Sequence, residues 1–235
     1  MADHPDYATA LNGLQVAGPD EVRHLCAAVD ASEAAVDEAA RRGADLLLVH
    51  HGMFWDGLRP LTGKRFRKLS RLIGSGVGLY SVHLPLDSHP EVGNCAILAR
   101  RLGIEVQGRF GAYKGAEIGW WGTVDADREA FRETVEEAVA GPVRLIAGGP
   151  ERIRRVGVVT GGAGSMLGEA VTAGLDAFVT GEGSHHTFVD AHEDGMNLYY
   201  AGHYATETFG VRALAEHLGE RFGLTWEFID LPSGM

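Results

Sequence analysis

The sequence predicts an α/β architecture with mostly parallel strands. Two observations predict it. Short, nearly continuous apolar runs have the composition of buried parallel strands, and charged amphipathic stretches of helical length alternate with them. Of the 235 residues, 45% are hydrophobic and 23% are charged. The chain is therefore long enough to bury a core, either as one large domain or as two small lobes.

In the first half of the chain, the apolar runs 44–50 and 76–83 are predicted to be buried strands. Gly43 is a plausible stop for the helix that precedes the first of them. A further helix is predicted over residues 91–102. Residues 105–123 are rich in glycine and aromatic side chains, and we expect them to join two lobes rather than to form a disordered linker.

The second half repeats the alternation. An amphipathic helix is predicted over 127–141, with Asp125 or Asp127 as its N-terminal cap. Four strands are predicted after it, at 155–161, 177–182, 197–204 and 224–230. Helices are predicted between them at 165–174, 184–195 and 205–223. Such an order is typical of a sheet whose strands are connected by helices.

Composition excludes several classes of protein. Lys and Arg number 21 against 32 Asp and Glu, so the net charge of −11 disfavours a general nucleic-acid binder. No apolar run is long enough to cross a bilayer. The two cysteines, Cys26 and Cys95, form no CxxC motif and no secreted disulfide framework, which predicts a reducing, cytoplasmic location.

Histidine is frequent, with 11 residues, and several histidines lie close to acidic residues where predicted strands end. In open α/β sheets, ligands gather at the carboxyl ends of the strands. Taken singly, each of these features has an ordinary alternative: a solvent-facing pair, a loop carboxylate that caps a helix, or a helix-start Glu. Three strand ends that each carry such residues favour a shared metal site, whose candidate ligands are His50, His51, Asp87, His203 and Glu207.

Three imidazoles and two carboxylates are too many for one catalytic zinc with an open position, and they suit two divalent ions that share a bridging carboxylate. Nitrogen and oxygen donors without thiolate favour zinc, iron, manganese or nickel. Adjacent residues on a straight strand point to opposite faces. Both His50 and His51 can therefore reach one site only if the strand breaks, which Gly52 allows.

Other candidate features have weaker support. His83 is either a residue that orients a metal ligand or a proton carrier. The pair His185 and His186 either supplies a proton carrier, His186, or lies at a helix start without a role in the site. The basic stretch 64–68 either attracts a phosphate or forms a solvated helix face. The run 161–166 either binds an anion through backbone N–H groups or forms an ordinary tight turn.

Five segments of the chain resemble, in order and over nearly its whole length, the NGG-interacting-factor-three-like family, also labelled GTP cyclohydrolase 1 type 2-like or dinuclear metal centre proteins. They are NGLQVAG, LLLVHHGMFWDG, VHLPLDSHPEVGNCAILARRLG, TGEGSHH and AGHYATETFGVRALAEHL. By position, the resemblance implies the same five metal ligands. It also implies one family domain over 1–235 with two α/β lobes, at about 1–123 and 124–235, a dinuclear site at strand ends between the lobes, and a homohexamer. The inserted regulatory domain of longer members is absent from this sequence.

The resemblance implies a metal-dependent hydrolase of the cyclohydrolase kind, which acts on a nucleotide or a related small molecule. In such an enzyme a hydroxide that bridges the two ions attacks the substrate, and His83 or His186 moves a proton. The same five ligands are equally expected in a protein of another class, a non-catalytic metal-binding scaffold or a metal-trafficking partner.

Overall fold

A computed structural model describes residues 4–235. It confirms the α/β class, with two mixed sheets flanked by helices. The chain divides into two compact units: the first contains the described residues up to Leu86 together with Gly210–Leu231, and the second contains Asp87–Phe209 with Pro232–Met235. This division differs from the expected lobes at about 1–123 and 124–235, because later and earlier segments pair across that boundary in both sheets.

The strands bear out the predicted alternation and add several that the sequence patterns did not indicate. They are β1 (Gly13–Val16), β2 (His24–Asp30), β3 (Leu46–His51), β4 (Gly78–Ser81), β5 (Glu105–Tyr113), β6 (Ala116–Asp127), β7 (Arg144–Ala147), β8 (Arg152–Val158), β9 (Ala177–Thr180), β10 (Asn197–Tyr200) and β11 (Thr225–Phe228).

The helices lie mainly between parallel strands. They are α1 (Glu33–Arg41), α2 (Gly63–Ser75), α3 (Leu84–Asp87), α4 (Asn94–Arg101), α5 (Arg128–Val139), α6 (Leu167–Thr172), α7 (His186–Glu193) and α8 (His203–Phe222), with a 3₁₀ turn at Gly164–Met166 before α6. The predicted cap of α5 is confirmed at Asp127, whose carboxylate accepts the N–H groups of Glu129 and Ala130.

The sheet of the first unit has the order β1-β4-β3-β2-β11, in which only β1 runs antiparallel to its neighbour. The central strand β3 reads LLLVHH, and its continuous apolar run follows from burial on both faces. Leu47 and Leu79 are fully buried in this core, and Leu72 of α2 covers them.

The sheet of the second unit has the order β5-β6-β8-β9-β10-β7, with β8, β9 and β10 parallel and the outer strands antiparallel. Phe131, Ile153 and Tyr199 lie in its core. Residues 105–123, which we expected to join two lobes, instead form most of the β5–β6 hairpin. β6 then pairs with β8, so this segment is an integral part of the second sheet.

The two units repeat one local design, a strand–helix–strand–helix–strand unit in which an aspartate lies just before the second strand and accepts two backbone N–H groups at the first. Asp45, just before β3, accepts the N–H groups of Arg23 and His24 with one carboxylate oxygen. Asp176, just before β9, accepts the two corresponding N–H groups at β8 in the same way. In both units, the aspartate therefore aligns the first two parallel strands of the repeat.

Left-handed glycines end the first helix of each repeat. Gly43 follows α1 with a φ of 69°, which confirms the predicted helix stop, and Gly174 follows α6 with a φ of 66°. In this backbone region a side chain carries a steric penalty, so glycine is favoured at both positions.

Within residues 4–235, no helix combines the length and the apolar character that crossing a bilayer requires.

The aspartate before β3 offers a direct test of the alignment role. We expect Asp45→Ala to lower the free energy of unfolding by about 1–3 kcal/mol, since two strand N–H groups lose a charged acceptor. Hydrogen bonds from the N–H groups of Arg23 and His24 lower the pKa of Asp45 from its usual 3.8. The stabilisation is therefore present above that value and is lost as the pH falls through the lowered pKa.

Denaturant titrations of the wild type and Asp45→Ala between pH 7 and pH 2 measure this difference. Asp20→Ala is the matched control, because Asp20 is exposed in the same unit. A loss for Asp45→Ala that equals the control, or that does not shrink in acid, would contradict the role.

Candidate functional site

Three histidines lie together at the carboxyl ends of neighbouring parallel strands in the first unit. His50 and His51 end β3, and His83 follows β4 by two residues. One ring nitrogen from each lies within 4.8 Å of the others. We call this set the first-unit histidine cluster. His50 and His83 are buried, and His51 is partly exposed.

The adjacent residues His50 and His51 do not point to opposite sides of the sheet. Their ring centroids are 4.7 Å apart, and the ring of His83 is 4.9 Å from that of His50. Both residues belong to β3, which ends at His51, so the two rings meet at the end of the strand. The strand continues through both histidines, so the break expected from the sequence is not observed, yet their rings lie side by side.

Each ring of the cluster is held at Nδ1 by an oxygen. The pairs are His50 with the carbonyl of Val82 at 3.0 Å, His51 with Asp30 at 2.9 Å and His83 with Asp6 at 2.9 Å. Because carbonyl and carboxylate oxygens only accept, Nδ1 is the donor in each pair, and Nε2 is the nitrogen left to face an ion. A hydrogen bond of this kind at the second ring nitrogen is typical of histidines that bind metal ions.

His83 is anchored more tightly than a surface histidine. Besides the bond to Asp6, its backbone N–H donates to the side chain of Asn12 at 2.8 Å, and the indole of Trp55 packs 4.7 Å from its ring. Asp6 also accepts from the amide of Asn12 and from the N–H of Leu84. Burial favours the protonated form of Asp6, but the hydrogen bonds to His83 and Asn12 outweigh it and lower the pKa of that carboxyl.

The second unit has its own group of candidate ligands: Asp87 at the end of α3, and His203 and Glu207 on α8. His203 Nε2 lies 3.2 Å from Glu207, one helical turn away. Carboxylate oxygens of Asp87 and Glu207 lie within 4.8 Å of each other. Both carboxylates are buried, with relative exposures of 4% and 3%. We call these three residues the second-unit cluster.

Neighbouring groups hold this cluster in place. Asp87 accepts from the Asn94 amide at 2.8 Å and from the Thr160 hydroxyl at 3.0 Å. His203 Nδ1 lies 2.7 Å from Glu182. Burial disfavours the charged form of His203, but Glu207 and Glu182 together raise its pKa to about 9.

The donor set fits a divalent cation. Two buried carboxylates at this separation repel each other when both are ionised, and a cation between them removes that cost. Imidazole nitrogens with carboxylate oxygens suit zinc, iron, manganese or nickel. Cys95 does not add a thiolate, because burial raises the pKa of its thiol to about 12 and the sulfur contacts the Thr160 hydroxyl.

The backbone approaches Glu207 closely at one glycine. Gly161 follows β8 with a φ of 69°, and a Cβ there would lie 2.1 Å from a carboxylate oxygen of Glu207. Its carbonyl also accepts the N–H groups of Gly181 and Glu182. The N–H groups of Gly161, Ala163 and Gly164 donate to other groups of the protein, which favours the ordinary turn over an anion site in the run 161–166.

The five predicted ligands are divided between the two clusters, and of the two predicted proton carriers only His83 belongs to a cluster. The first contains His50, His51 and also His83, and the second contains Asp87, His203 and Glu207. His203 does not close a strand as expected, because β10 ends at Tyr200 and His203 is the first residue of α8. His186, at the start of α7, is exposed and belongs to neither cluster.

Sequence reasoning missed the oxygen acceptors behind the histidines. Asp30 ends β2, and Glu182 lies two residues beyond β9, so both follow the strand-end rule that indicated the other residues. Asp6 belongs to no strand or helix, and no pattern in the sequence marks it.

Comparison with known proteins matches nearly all of the chain. The family model of Duf34/NIF3 (NGG1p interacting factor 3) matches residues 6–233. A Deinococcus radiodurans protein named GTP cyclohydrolase 1 type 2 homolog is 42% identical over 235 residues, which cover 99% of this chain and 88% of the relative. An Escherichia coli protein of the same name is 43% identical over 232 residues, which cover 97% and 91%.

A solved structure is similarly close. The protein ybgI, described as of unknown function, superimposes with a TM-score of 0.93 at 41% identity, and the match covers 100% of this chain and 94% of that one.

The close approach at Gly161 generates a test of the second-unit cluster. We expect Gly161→Ala to lower the free energy of unfolding by about 1–3 kcal/mol more than Gly174→Ala, because the new methyl group must displace the buried Glu207 carboxylate. Gly174 is the matched control, since its φ of 66° imposes the same backbone strain and a Cβ there meets no atom within 4 Å. Denaturant unfolding of the two variants measures the difference. Equal losses would show that Glu207 can move without cost.

Proposed function

Because the chain belongs to the Duf34/NIF3 family, we propose that it is a metal-dependent hydrolase that acts on a nucleotide or a related small molecule. Its relatives carry the name GTP cyclohydrolase 1 type 2 homolog, which supports this class of reaction. In this proposal His50, His51, Asp87, His203 and Glu207 bind two divalent ions.

One observation carries the proposal: oxygen atoms of the protein orient the rings of the candidate histidine ligands. His50, His51 and His203 each have an oxygen within 3.0 Å of Nδ1. Such second contacts fix the direction of Nε2 and raise its basicity, which favours binding of a divalent ion. The buried carboxylates of Asp87 and Glu207 supply the negative charge that two cations require.

These residues would hold divalent ions, which would lower the pKa of a bound water toward neutrality and offset the negative charge that develops during hydrolysis. The chain itself supplies orientation and proton transfer. His83 is the proposed proton carrier, because Asp6 holds its Nδ1–H and thereby presents Nε2 as the atom that takes or gives a proton. Asp6 positions His83 and stabilises the imidazolium that forms when Nε2 is protonated.

Two further expectations belong to the same proposal. The family resemblance implies a homohexamer, which size-exclusion chromatography with light scattering measures directly. We also propose a cytoplasmic location, which is supported by the two buried cysteines, Cys26 and Cys95, since both are free thiols.

The ligand assignment predicts selective loss of metal. We expect His203→Ala and Glu207→Gln to weaken zinc or manganese binding by about a hundredfold or more while circular dichroism shows a folded chain. His217→Ala is the control, because His217 is an exposed histidine on the same helix. Elemental analysis after dialysis and titration calorimetry measure the change. Full metal occupancy in both variants would remove this assignment.

The reaction assignment predicts metal-dependent turnover. We expect the metal-loaded chain to hydrolyse GTP or another nucleotide in a product screen, and a chelator to abolish the reaction. His83→Gln is expected to lower kcat by about 10²–10⁴-fold with metal still bound, since a proton carrier is lost. Asp6→Asn should lower kcat less and shift its pH profile, as a positioning residue does. A chain that keeps its metal and turns over no substrate in the screen would favour the scaffold alternative.

A further inference from the structure

A small pocket opens beside the first-unit histidine cluster. It has a volume of about 150 Å³ and is lined by Trp55, Asp56, Lys64, Arg65 and Lys68, together with the two residues that directly follow His51. The indole of Trp55 lies 5.9 Å from the ring of His51 and 4.7 Å from that of His83. The pocket and the histidines are therefore connected within one unit through the Trp55 ring.

The cations of α2 fall into two groups with different electrostatic surroundings. On the side of α1, Arg67 pairs with Glu33 at 2.7 Å and Arg71 pairs with Asp37 at 3.2 Å. Lys64, which lines the pocket, forms no ion pair among residues 4–235, and the same holds for Arg65 and Lys68. Asp56 is the one carboxylate in the pocket lining, against three cationic side chains.

Two of these cations are held near the pocket by the fold rather than by carboxylates. Arg65 is buried, and its guanidinium donates to the carbonyls of Gly57 and Arg59. Lys68 is half-buried, and its Nζ donates to the carbonyl of Ala31 at 2.8 Å. Burial, followed by the charge of Lys64, lowers the pKa of Lys68. The neighbouring cations therefore repel each other, and a bound anion would offset that repulsion.

The start of α2 adds to this local positive potential. Thr62 precedes the helix and makes no side-chain cap, and the first turn contains no acidic residue but does contain Lys64 and Arg65. Cations at a helix N-terminus are unfavourable, because the exposed N–H groups there already carry partial positive charge. A bound anion offsets this arrangement.

Trp55 contributes an unsatisfied donor. Its indole Nε1–H is buried and has no hydrogen-bond partner in the described part of the chain. Buried donors of this kind are uncommon and are costly to leave without an acceptor. Because Trp55 lines the pocket, an oxygen atom of a ligand bound there can accept the hydrogen bond from Nε1–H.

We propose that the pocket at Trp55, Lys64 and Lys68 binds a phosphate group of the substrate, so that the proposed hydrolase acts on a phosphorylated compound. The assignment of this phosphate to the substrate rests on the proposed function, whereas the anion site itself does not. At roughly 30 Å³ per water molecule, the pocket holds about five waters. It thus has room for a phosphate group but not for a whole nucleotide, whose remaining part extends out of the pocket.

Direct binding tests the site apart from catalysis. Titration calorimetry of the metal-loaded chain uses three probes: inorganic phosphate, GTP and guanosine. We expect Lys64→Met and Lys68→Met each to raise the Kd for phosphate and for GTP by about tenfold or more, because a charge-assisted hydrogen bond to phosphate is lost. The Kd for guanosine should not change. Lys64 is exposed, so its replacement leaves the fold intact even if loss of the Lys68 contact does not.

Two more variants sharpen the result. Arg71→Met removes one positive charge from the same helix, but that charge is paired with Asp37 and lies outside the pocket. We expect it to leave phosphate binding unchanged. Asp56→Asn removes the carboxylate of the lining and should tighten phosphate binding by about two- to fivefold.

The outcomes separate the site from the proposed function. Absence of phosphate binding, equal losses in Lys64→Met and Arg71→Met, or an unchanged Kd in both lysine variants would overturn the phosphate site. If the lysine variants weaken phosphate binding but no nucleotide is hydrolysed, the phosphate site is supported and the proposed hydrolase activity is wrong. If GTP is hydrolysed and the lysine variants keep the wild-type KM, the hydrolase stands and the phosphate site is wrong.

Discussion

Orientation of imidazole rings by oxygen acceptors at strand ends is the constraint on which the candidate chemistry depends. In the parallel register of β2 and β3, Asp30 pairs with His51, so the contact between their side chains follows from the strand pairing itself. His50 is held by the carbonyl of Val82, in the segment that leaves the next strand. Backbone pairing places both acceptors, so folding itself orders the two rings. The conformational entropy of these side chains is therefore lost on folding.

The repeat between the units places different residue types at corresponding strand ends. His51 lies six residues after the aligning Asp45, and Glu182 lies six residues after Asp176. Corresponding strand ends therefore carry a histidine in the first unit and a glutamate in the second, where the glutamate orients His203. The same strand–helix scaffold thus presents an imidazole at one strand end and a carboxylate at the other.

The sequence predicted the elements whose signals are local. Apolar runs located β3 and β9, Asp127 located the start of α5, and the histidines and acids chosen as ligands near predicted strand ends all belong to the two clusters. It failed where distant segments decide the structure. The glycines and aromatics of 105–123 suggested a connection, yet the pairing of β6 with β8 makes them a hairpin of the second sheet. Asp6 lies 77 residues from His83, and no periodic pattern records a contact of that kind.

Charge placement on α2 shows how an acidic chain can still select an anionic ligand. The net charge is −11, yet six of the 21 Lys and Arg residues fall within positions 59–71. α1 neutralises two of them through Glu33 and Asp37, which leaves positive charge on the side that borders Trp55. Net charge repels anions over long distances, but screening limits that effect to about 8 Å at physiological ionic strength. Inside the pocket, the nearby lysines therefore outweigh the distant carboxylates, and local geometry rather than overall charge decides which ligand binds.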